Sequence, residues 1–381
     1  MPECACNSTV NCTLDLYSRM EWLEILDVYA PVALAVDRYV TPIWYVVGII
    51  GNAIACAIWC SSSMRKSNTA AYYLAALAAS DLLFLIFHIV MELKIAWNIA
   101  TINYPVLCEV FMIVYYTPQY LSPMLVLAFT AERFFAVCFP LKVGLHCTKL
   151  RAKVTVFVII AATFSMCSLQ AYLWQYIGKT KTCEFRPEIF QSEGSFGKVW
   201  TWSTELFAFA LVPLVILGLN ICVIKALWEL TPHVLPVTTQ PGHATEVHPQ
   251  DNNHVKTVST FMLLSVSFFV IFMTLPATLV YALGYAYAEG DPCLSDIEIR
   301  NDARWQSFFA FITARKIIEE VCLSHYACNI FIYCITGTRF RGILINKVKN
   351  CQFMQSCQST KNHDSCLMSV RSSSATHTTK C

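Results

Sequence analysis

One stretch decides the fold of this chain: residues 104–140, which read YPVLCEVFMIVYYTPQYLSPMLVLAFTAERFFAVCFP. About 28 mostly apolar residues come first, Glu132 and Arg133 follow them directly, and Pro140 closes the run. A helix of about 20 apolar residues is long enough to cross the roughly 30 Å of hydrocarbon in a bilayer. Charged groups are costly where such a helix leaves lipid, so Glu132 and Arg133 mark a functional position.

The composition of the whole chain agrees with a membrane location. Hydrophobic residues make up 56% of the 381 residues and charged residues only 14%, whereas a soluble domain is typically about 25% charged. Backbone groups in lipid must bond within their own segment, so each span must be a helix. The sequence therefore predicts an all-α membrane protein with a bundle of seven transmembrane helices over residues 40–335. Their predicted bounds are 40–60, 69–91, 104–131, 154–177, 199–228, 257–288 and 307–335.

Basic residues in the short loops orient the bundle. The loop after the first span carries Arg65 and Lys66 without an acid, and the loop after the third also holds basic residues alone. Such loops face the cytoplasm, whereas residues 1–39 hold six acids against two arginines. We therefore expect a plasma-membrane protein with its N-terminus outside and its C-terminus inside. The net charge of +2 gives no indication of nucleic-acid binding.

The N-terminal segment, residues 1–39, is predicted to be extracellular and glycosylated. Asn7 and Asn11 each begin an N-glycosylation motif in this segment. Residues 1–14 lack the apolar core of a cleavable signal peptide, so the first span is expected to direct insertion.

Cysteines on the outer side are the ones that could form disulfides, because that compartment is oxidising. They are Cys4, Cys6, Cys12, Cys108, Cys183 and Cys293. A bridge between Cys108, at the start of the third span, and Cys183 would tie the loop after the fourth span over the mouth of the bundle. Cys293 could pair with one of the N-terminal cysteines, and the sequence leaves open which.

Several motifs in fixed order carry a family resemblance. Over residues 40–350 the chain resembles a rhodopsin-like (class A) G-protein-coupled receptor. The motifs are Gly51-Asn52, the Leu77–Asp81 run, Cys108, Glu132-Arg133-Phe134, Pro213, Pro276 and Asn329-Ile-Phe-Ile-Tyr333. The end of the seventh span, followed by residues 336–341, is similar to invertebrate neuropeptide receptors of the FMRFamide and myosuppressin type.

The chain departs from the family pattern where the family's activation switch lies. Thr274 stands where most members carry tryptophan, Ile330 replaces the proline of the seventh-span motif, and Ile221 stands where the fifth span usually has tyrosine. The resemblance also implies a sodium pocket at Asp81, Ser122 and Asn329, with Tyr333 in the same switch. The alternative is a hydrogen-bonded polar cluster without an ion. Sodium is the one cofactor that the sequence suggests.

Polar residues at helical spacing predict a ligand site in the outer half of the bundle. The predicted ligand-binding residues are Glu92, Tyr115, Tyr116, Gln119, Glu205, Arg315 and Glu319. Glu205 lies about six residues into its span, roughly 9 Å deep, so it needs a partner or a proton. The alternative for the seventh span is structural: ion pairs of Arg315 with Glu319 and of Lys316 with Glu320, each four residues apart.

Substitutions at family positions narrow the class of ligand. Tyr115 stands where amine receptors carry an aspartate, and Leu323 stands where opsins attach retinal. Three glutamates under an acidic rim favour a cationic ligand, and a short basic peptide ending in arginine-phenylalanine amide fits both this charge and the family. Two alternatives stay open: the acidic loops only reflect topology, or the ligand is a non-peptide small molecule.

The cytoplasmic face is expected to bind a heterotrimeric G protein. The resemblance implies that Arg133 pairs with Glu132 in the inactive state and that Leu141 inserts into the G protein. Residues 230–256 are predicted to be a linker, and residues 336–350 an amphipathic eighth helix that lies on membrane lipid. Cys351 and Cys357 are candidate palmitoylation sites, and residues 351–381 are expected to form a disordered tail that is phosphorylated for arrestin.

A transporter or channel is the rival class. Transporters commonly contain inverted repeats with broken helices, and the two halves of this chain show no internal repeat. The histidines are scattered and no Gly-rich phosphate loop occurs, so the chain is not predicted to be an enzyme.

Overall fold

Helices form most of the computed structural model, which describes residues 15–140, 147–192, 194–230 and 250–359. In chain order the α-helices are α1 Leu16–Arg19, α2 Trp22–Tyr29, α3 Pro31–Ala35, α4 Thr41–Trp59, α5 Ser62–Ser67, α6 Ala70–Ile95, α7 Leu107–Cys138, α8 Lys149–Cys167, α9 Gln170–Leu173, α10 Phe196–Leu206, α11 Val212–Leu230, α12 Gln250–Leu283, α13 Asp296–Asn301, α14 Ala303–Ala327, α15 Asn329–Thr336 and α16 Thr338–Ser359. Strands β1 Trp174–Ile177 and β2 Thr182–Phe185 form one antiparallel hairpin.

Seven of these segments pack as a bundle, which confirms the predicted fold class. The first to seventh bundle helices are α3 with α4, α6, α7, α8 with α9, α10 with α11, α12, and α14 with α15. Within the described residues six of them are long and apolar enough to cross a membrane. The seventh fails that test because Arg315, Lys316, Glu319 and Glu320 lie in it, and these charges face partners within the bundle.

The first bundle helix begins earlier than predicted, at Pro31 rather than at residue 40. A π-helical turn, Val36–Val40, joins its two parts. The predicted span did not include this turn, because Asp37 and Arg38 interrupt the apolar stretch there. The structure pairs both charges: Asp37 lies 2.8 Å from Lys316 Nζ, and Arg38 Nε donates to the Ala96 carbonyl at 3.0 Å.

Two glycines let the first bundle helix approach the seventh closely. A Cβ on Gly48 would lie 2.3 Å from Leu85 Cδ1 and 3.0 Å from Ala327 Cα, and one on Gly51 would lie 2.8 Å from Ile330 Cγ2. The side chain of the neighbouring Asn52 donates to the Tyr326 carbonyl at 2.7 Å. The Gly51-Asn52 motif is therefore a contact between helices.

The N-terminal helices α1 and α2 pack on the segment before the seventh bundle helix. Leu16, Ile25 and Leu26 are buried against Ile299 and Trp305, and Arg19 pairs with Asp296 at 2.8 Å. Helix α13 in this segment begins with a capping box of Ser295 and Glu298. Hydrogen bonds from the Ser295 hydroxyl and backbone N–H lower the pKa of Glu298. Cys293, in the same segment, is disulfide-bonded.

The last helix is longer than predicted. Helix α16 extends to Ser359, beyond the expected boundary at residue 350, and residues 351–359, which include Cys351 and Cys357, are helical. Phe340 is fully buried, with its ring centroid 5.4 Å from those of Trp59 and Tyr333. Ile343 and Leu344 pack on the same cluster, as an amphipathic helix on the bundle requires.

The predicted linker is also shorter than expected, because α12 begins at Gln250 rather than after residue 256. Several predictions lie outside the described residues. They concern Asn7, Asn11, Cys4, Cys6, Cys12, Leu141, the greater part of the 230–256 linker and residues 360–381.

Candidate functional site

The β1–β2 hairpin lies over one end of the bundle, here called the Cys108 end. A disulfide joins Cys108 at the start of α7 to Cys183 in β2, which confirms the predicted bridge. Lys94 Nζ donates to the Cys183 carbonyl at 2.6 Å, and the Cys183 N–H donates to Asn103 Oδ1 at 3.1 Å. Glu109 accepts a hydrogen bond from the Tyr176 N–H at 3.2 Å. The hairpin is thus anchored to the second and third bundle helices.

A cavity of about 310 Å³ lies among the bundle helices in the half nearer the Cys108 end. Its walls combine acidic, aromatic and hydroxyl side chains. They are Asp37, Phe84, His88, Glu92, Ile95, Tyr115, Gln119, Glu205, Phe209, Thr274, Ala277, Thr278, Tyr281, Lys316, Glu319, Glu320, Cys322, Leu323, His325 and Tyr326.

Five of the predicted ligand-binding residues line this cavity: Glu92, Tyr115, Gln119, Glu205 and Glu319. The other two do not. Tyr116 belongs to an aromatic row on the third bundle helix, with ring centroids 5.1 Å from Tyr115 and 6.0 Å from Tyr120. Arg315 pairs with Glu319 at 2.7 Å, and its guanidinium lies 5.7 Å from the centroid of the Tyr281 ring.

Sequence reasoning missed several lining residues. Thr274, Thr278 and Tyr281 lie four and three residues apart on the sixth bundle helix, so helical spacing from Thr274 would have predicted them. Asp37 and Glu320 were missed for different reasons. Asp37 lay outside the predicted span, and Glu320 was assigned to an ion pair with Lys316.

Of the two ion pairs in the structural alternative for the seventh span, Arg315–Glu319 is present and Lys316–Glu320 is not. Lys316 binds Asp37 on the first bundle helix at 2.8 Å, and Glu320 Oε2 instead accepts from the Thr41 hydroxyl at 2.8 Å. Lys316 reaches a carboxylate on a neighbouring helix, so a spacing rule within one helix did not predict its partner.

Negative charge exceeds positive charge in the cavity wall. Five carboxylates face it, and two of them have a basic partner, Asp37 with Lys316 and Glu319 with Arg315. Among the described residues, Glu92, Glu205 and Glu320 form no ion pair. An unpaired carboxylate away from water costs several kcal/mol unless it is protonated or meets a cation.

Glu205 has a neutral partner, which the sequence did not reveal. The Tyr120 hydroxyl donates to Glu205 Oε1 at 2.6 Å, and Tyr120 itself is 1% exposed. A π-helical turn, Phe207–Leu211, follows directly in the fifth bundle helix, and its Phe209 carbonyl accepts from the Thr278 hydroxyl of the sixth at 2.8 Å. The hydroxyl solvates the carboxylate of Glu205 but adds no positive charge.

Below the cavity the structure brings Asp81, Ser122 and Asn329 together. Asp81 accepts hydrogen bonds from the Ser122 hydroxyl and, at 2.9 Å, from Asn329 Nδ2. All three side chains are at most 2% exposed. Tyr333, one turn further along, is fully buried with its ring edge-on to Trp59 at 5.3 Å. Asp81, Ser122 and Asn329 thus form a buried hydrogen-bonded cluster, and Tyr333 lies buried one turn beyond Asn329.

Aromatic side chains separate the cavity from this polar cluster. The Tyr326 ring lies 4.1 Å from Phe84 and 3.8 Å from His325 between centroids, and its hydroxyl donates to the Gln119 carbonyl at 3.3 Å. Thr274, where the family carries tryptophan, donates to the Val270 carbonyl within its own helix. The cavity floor is therefore aromatic on its second and seventh helices, while the sixth contributes a small hydroxyl side chain.

At the opposite end, here called the Arg133 end, the Glu132–Arg133 pair contacts the start of the second bundle helix. Their charged groups are 3.6 Å apart. Arg133 Nη2 donates to Asn68 Oδ1 at 3.0 Å, and the Thr69 hydroxyl donates to Glu132. Ile221, where the family has tyrosine, is 45% exposed and points out of the bundle.

Comparison with known proteins gives one family match and several relatives. The model for the 7 transmembrane receptor (rhodopsin family) matches residues 51–333. The human growth hormone secretagogue receptor type 1 is 28% identical over 262 residues, covering 66% of this chain and 67% of that receptor. Human neuromedin-U receptor 2 is 32% identical over 113 residues, covering 28% and 26%. Mouse lysophosphatidic acid receptor 6 is 32% identical over 126 residues, covering 32% and 34%.

Proposed function

The chain belongs to the rhodopsin family of seven-transmembrane receptors, and from that premise we propose that it binds a positively charged extracellular peptide and activates a heterotrimeric G protein. The unpaired carboxylates of the cavity carry this proposal. Glu92, Glu205 and Glu320 face the cavity without a basic partner among the described residues. A cationic ligand group would remove the cost of burying them.

The Cys108 end faces the outside of the plasma membrane in this proposal. Disulfides such as Cys108–Cys183 persist in an oxidising compartment. Arg65 and Lys66, in a short loop helix near the Arg133 end, suit the cytoplasmic side. The cavity is then open to extracellular ligands, and Arg133 faces the G protein.

A peptide is the ligand class favoured over the alternatives. The names of two relatives, a growth hormone secretagogue receptor and a neuromedin-U receptor, suggest signalling ligands of this kind. Another relative is named for lysophosphatidic acid, but an anionic phosphate would be repelled by three unpaired carboxylates. Within this class we propose a peptide that ends in Arg-Phe-amide, because its arginine supplies the positive charge that the unpaired carboxylates lack.

Activation requires the contacts at the Arg133 end to change. A ligand group in the cavity would contact Tyr326, whose hydroxyl donates to the Gln119 carbonyl of the third bundle helix. Asn329, three residues after Tyr326, donates to Asp81. Movement of the seventh helix would therefore reach the polar cluster, and release of Arg133 from Glu132 and Asn68 would free it for the G protein.

Sodium is a second ligand that fits the switch. Asn329 Oδ1 is buried and has no hydrogen-bond partner among the described residues. This amide oxygen, with the Asp81 carboxylate and the Ser122 hydroxyl, supplies the oxygen ligands that hard cations prefer. His325 and Tyr326 occupy positions that are usually small and polar, and their buried rings favour the alternative of a hydrogen-bonded cluster without an ion.

The remaining partners follow from the same assignment. Helix α16 would lie on membrane lipid with Cys351 and Cys357 as palmitoylation sites, the C-terminal tail would bind arrestin after phosphorylation, and Asn7 and Asn11 would carry glycans. The chain is a receptor rather than an enzyme.

A panel of amidated neuropeptides tests the proposal. Cells that express the chain should respond, in calcium or cyclic-AMP assays, to peptides with a C-terminal Arg-Phe-amide. They should not respond to acidic peptides of equal length or to lysophosphatidic acid. Responses confined to an acidic or purely apolar ligand would contradict it.

A further inference from the structure

Among the carboxylates that line the cavity, Glu92 has the fewest polar partners. It is 7% exposed, and among the described residues its carboxylate makes no hydrogen bond or ion pair; the oxygen Oε1 is completely buried. Glu205, by comparison, accepts a hydrogen bond from Tyr120. Glu92 is therefore the carboxylate that a ligand cation would stabilise most.

Glu320 presents a second unpaired oxygen near the same place. It is 8% exposed, and Thr41 occupies Oε2 while Oε1 has no partner among the described residues. The two nearby cations are already engaged, Lys316 by Asp37 at 2.8 Å and Arg315 by Glu319 at 2.7 Å.

Contacts between the first, second and seventh bundle helices put Glu92 and Glu320 at one level. Tyr45 and His88 are joined by a hydrogen bond of 2.7 Å. Thr41, the partner of Glu320, and Glu92 each lie four residues from this contact, one helical turn nearer the Cys108 end. The two carboxylates thus face the cavity at the same level of the bundle.

An aromatic row separates this place from Glu205. The centroids of His88, Tyr115, Tyr116 and Tyr120 follow one another at 6.2, 5.1 and 6.0 Å, and Tyr120 is the partner of Glu205. Glu92 lies one turn above His88 at the first end of the row. Glu92 and Glu205 therefore lie at opposite ends of this row.

We propose that Glu92 and Glu320 form a subsite for a guanidinium group, so that an arginine side chain of the ligand binds between the first, second and seventh bundle helices rather than at Glu205. A guanidinium offers five N–H donors in one plane, which suits separate acceptors on two helices. Its flat face also packs well on aromatic rings such as those of His88 and Tyr115. This inference rests on the proposed function, because it assumes a basic peptide ligand.

A peptide pair that differs only in charge tests the subsite. The probes are the most potent Arg-Phe-amide peptide of the panel and the same peptide with citrulline, the neutral isostere of arginine. Potency is measured on wild type, Glu92→Gln, Glu320→Gln and Glu205→Gln. Glu109→Gln is the matched control, because Glu109 is also a carboxylate with one buried unpaired oxygen but lies outside the cavity wall.

On wild type and Glu109→Gln, citrulline should reduce potency about tenfold or more. In Glu92→Gln and in Glu320→Gln the difference between the two peptides should shrink, since each variant removes one of the two carboxylates that bind the guanidinium. Glu205→Gln should keep the difference between them. Surface labelling of each variant at the N-terminus separates a loss of binding from a loss of folded receptor.

An undiminished arginine preference in Glu92→Gln and Glu320→Gln would overturn the subsite. If that preference disappeared in Glu205→Gln instead, arginine would bind at Glu205 and the proposed function would stand without this subsite. A panel in which no basic peptide activates the receptor would refute the proposed function itself.

Discussion

Asp81 is the buried acid whose environment the sequence predicted best. The family motifs identified Ser122 and Asn329 as its neighbours, and both donate hydrogen bonds to it. The acids of the cavity were predicted less well. Glu205 accepts a hydrogen bond from a tyrosine hydroxyl of the third bundle helix, and Glu320 accepts one from a threonine hydroxyl of the first. Such partners depend on which helix faces which, and residue spacing within one helix carries no information about that.

Asp81→Asn is expected to abolish any effect of sodium on agonist affinity. The substitution keeps the hydrogen bond from Ser122 but removes the charge that attracts the ion, and agonist binding in sodium and in choline buffers measures the change. Ser267→Ala is the control, because Ser267 and Asn220 form a similarly buried polar contact at 3.0 Å elsewhere in the bundle. Sodium sensitivity that survives in Asp81→Asn would exclude ion binding at this cluster.

How well the sequence predicted each bundle helix depended on the charged residues within it. Spans without charges, such as the sixth, follow from hydropathy alone. The seventh was recognised although four charged residues lie in it, because the Asn329–Tyr333 motif identified it. The start of the first was missed because Asp37 and Arg38 interrupt its apolar run, and their partners, Lys316 and the Ala96 carbonyl, lie on other elements.

Gly48→Val should destabilise the receptor by about 1–3 kcal/mol, the usual cost of overpacking. Even a Cβ at this position lies 3.0 Å from the Ala327 backbone, which has little freedom to move. Thermal unfolding in detergent and the fraction of receptor at the cell surface report the effect.

Gly218→Val is the matched control for this packing, because nothing lies within 4 Å of a Cβ built there. Both variants add the same side chain to an apolar bundle helix. Equal stability of the two would show that the first and seventh helices do not pack as closely as described.

Across the whole molecule, acidic and basic residues occupy different parts of the bundle. The net charge of +2 conceals a cavity with surplus carboxylates and basic residues near the Arg133 end. The N-terminal helices and helix α13 form a separate apolar cluster at the Cys108 end. The sequence indicated the acidic outer segments but not this packing, because short helices of 4 to 8 residues show too little periodicity to be recognised.

The potency of a basic peptide agonist on Glu205→Gln, compared with wild type, tests whether the cavity recognises positive charge at Glu205. The glutamine oxygen can still accept the Tyr120 hydrogen bond, so the receptor should fold and reach the surface, as Glu109→Gln should. We expect potency to fall about tenfold or more, roughly 1.4 kcal/mol, for the arginine and the citrulline peptide alike, because Glu205 would meet a second cationic group of the peptide, its N-terminal ammonium, and not the arginine. Equal potency on wild type and Glu205→Gln would show that Glu205 binds no ligand cation, and a natural agonist that is acidic or purely apolar would show that the cavity does not recognise positive charge.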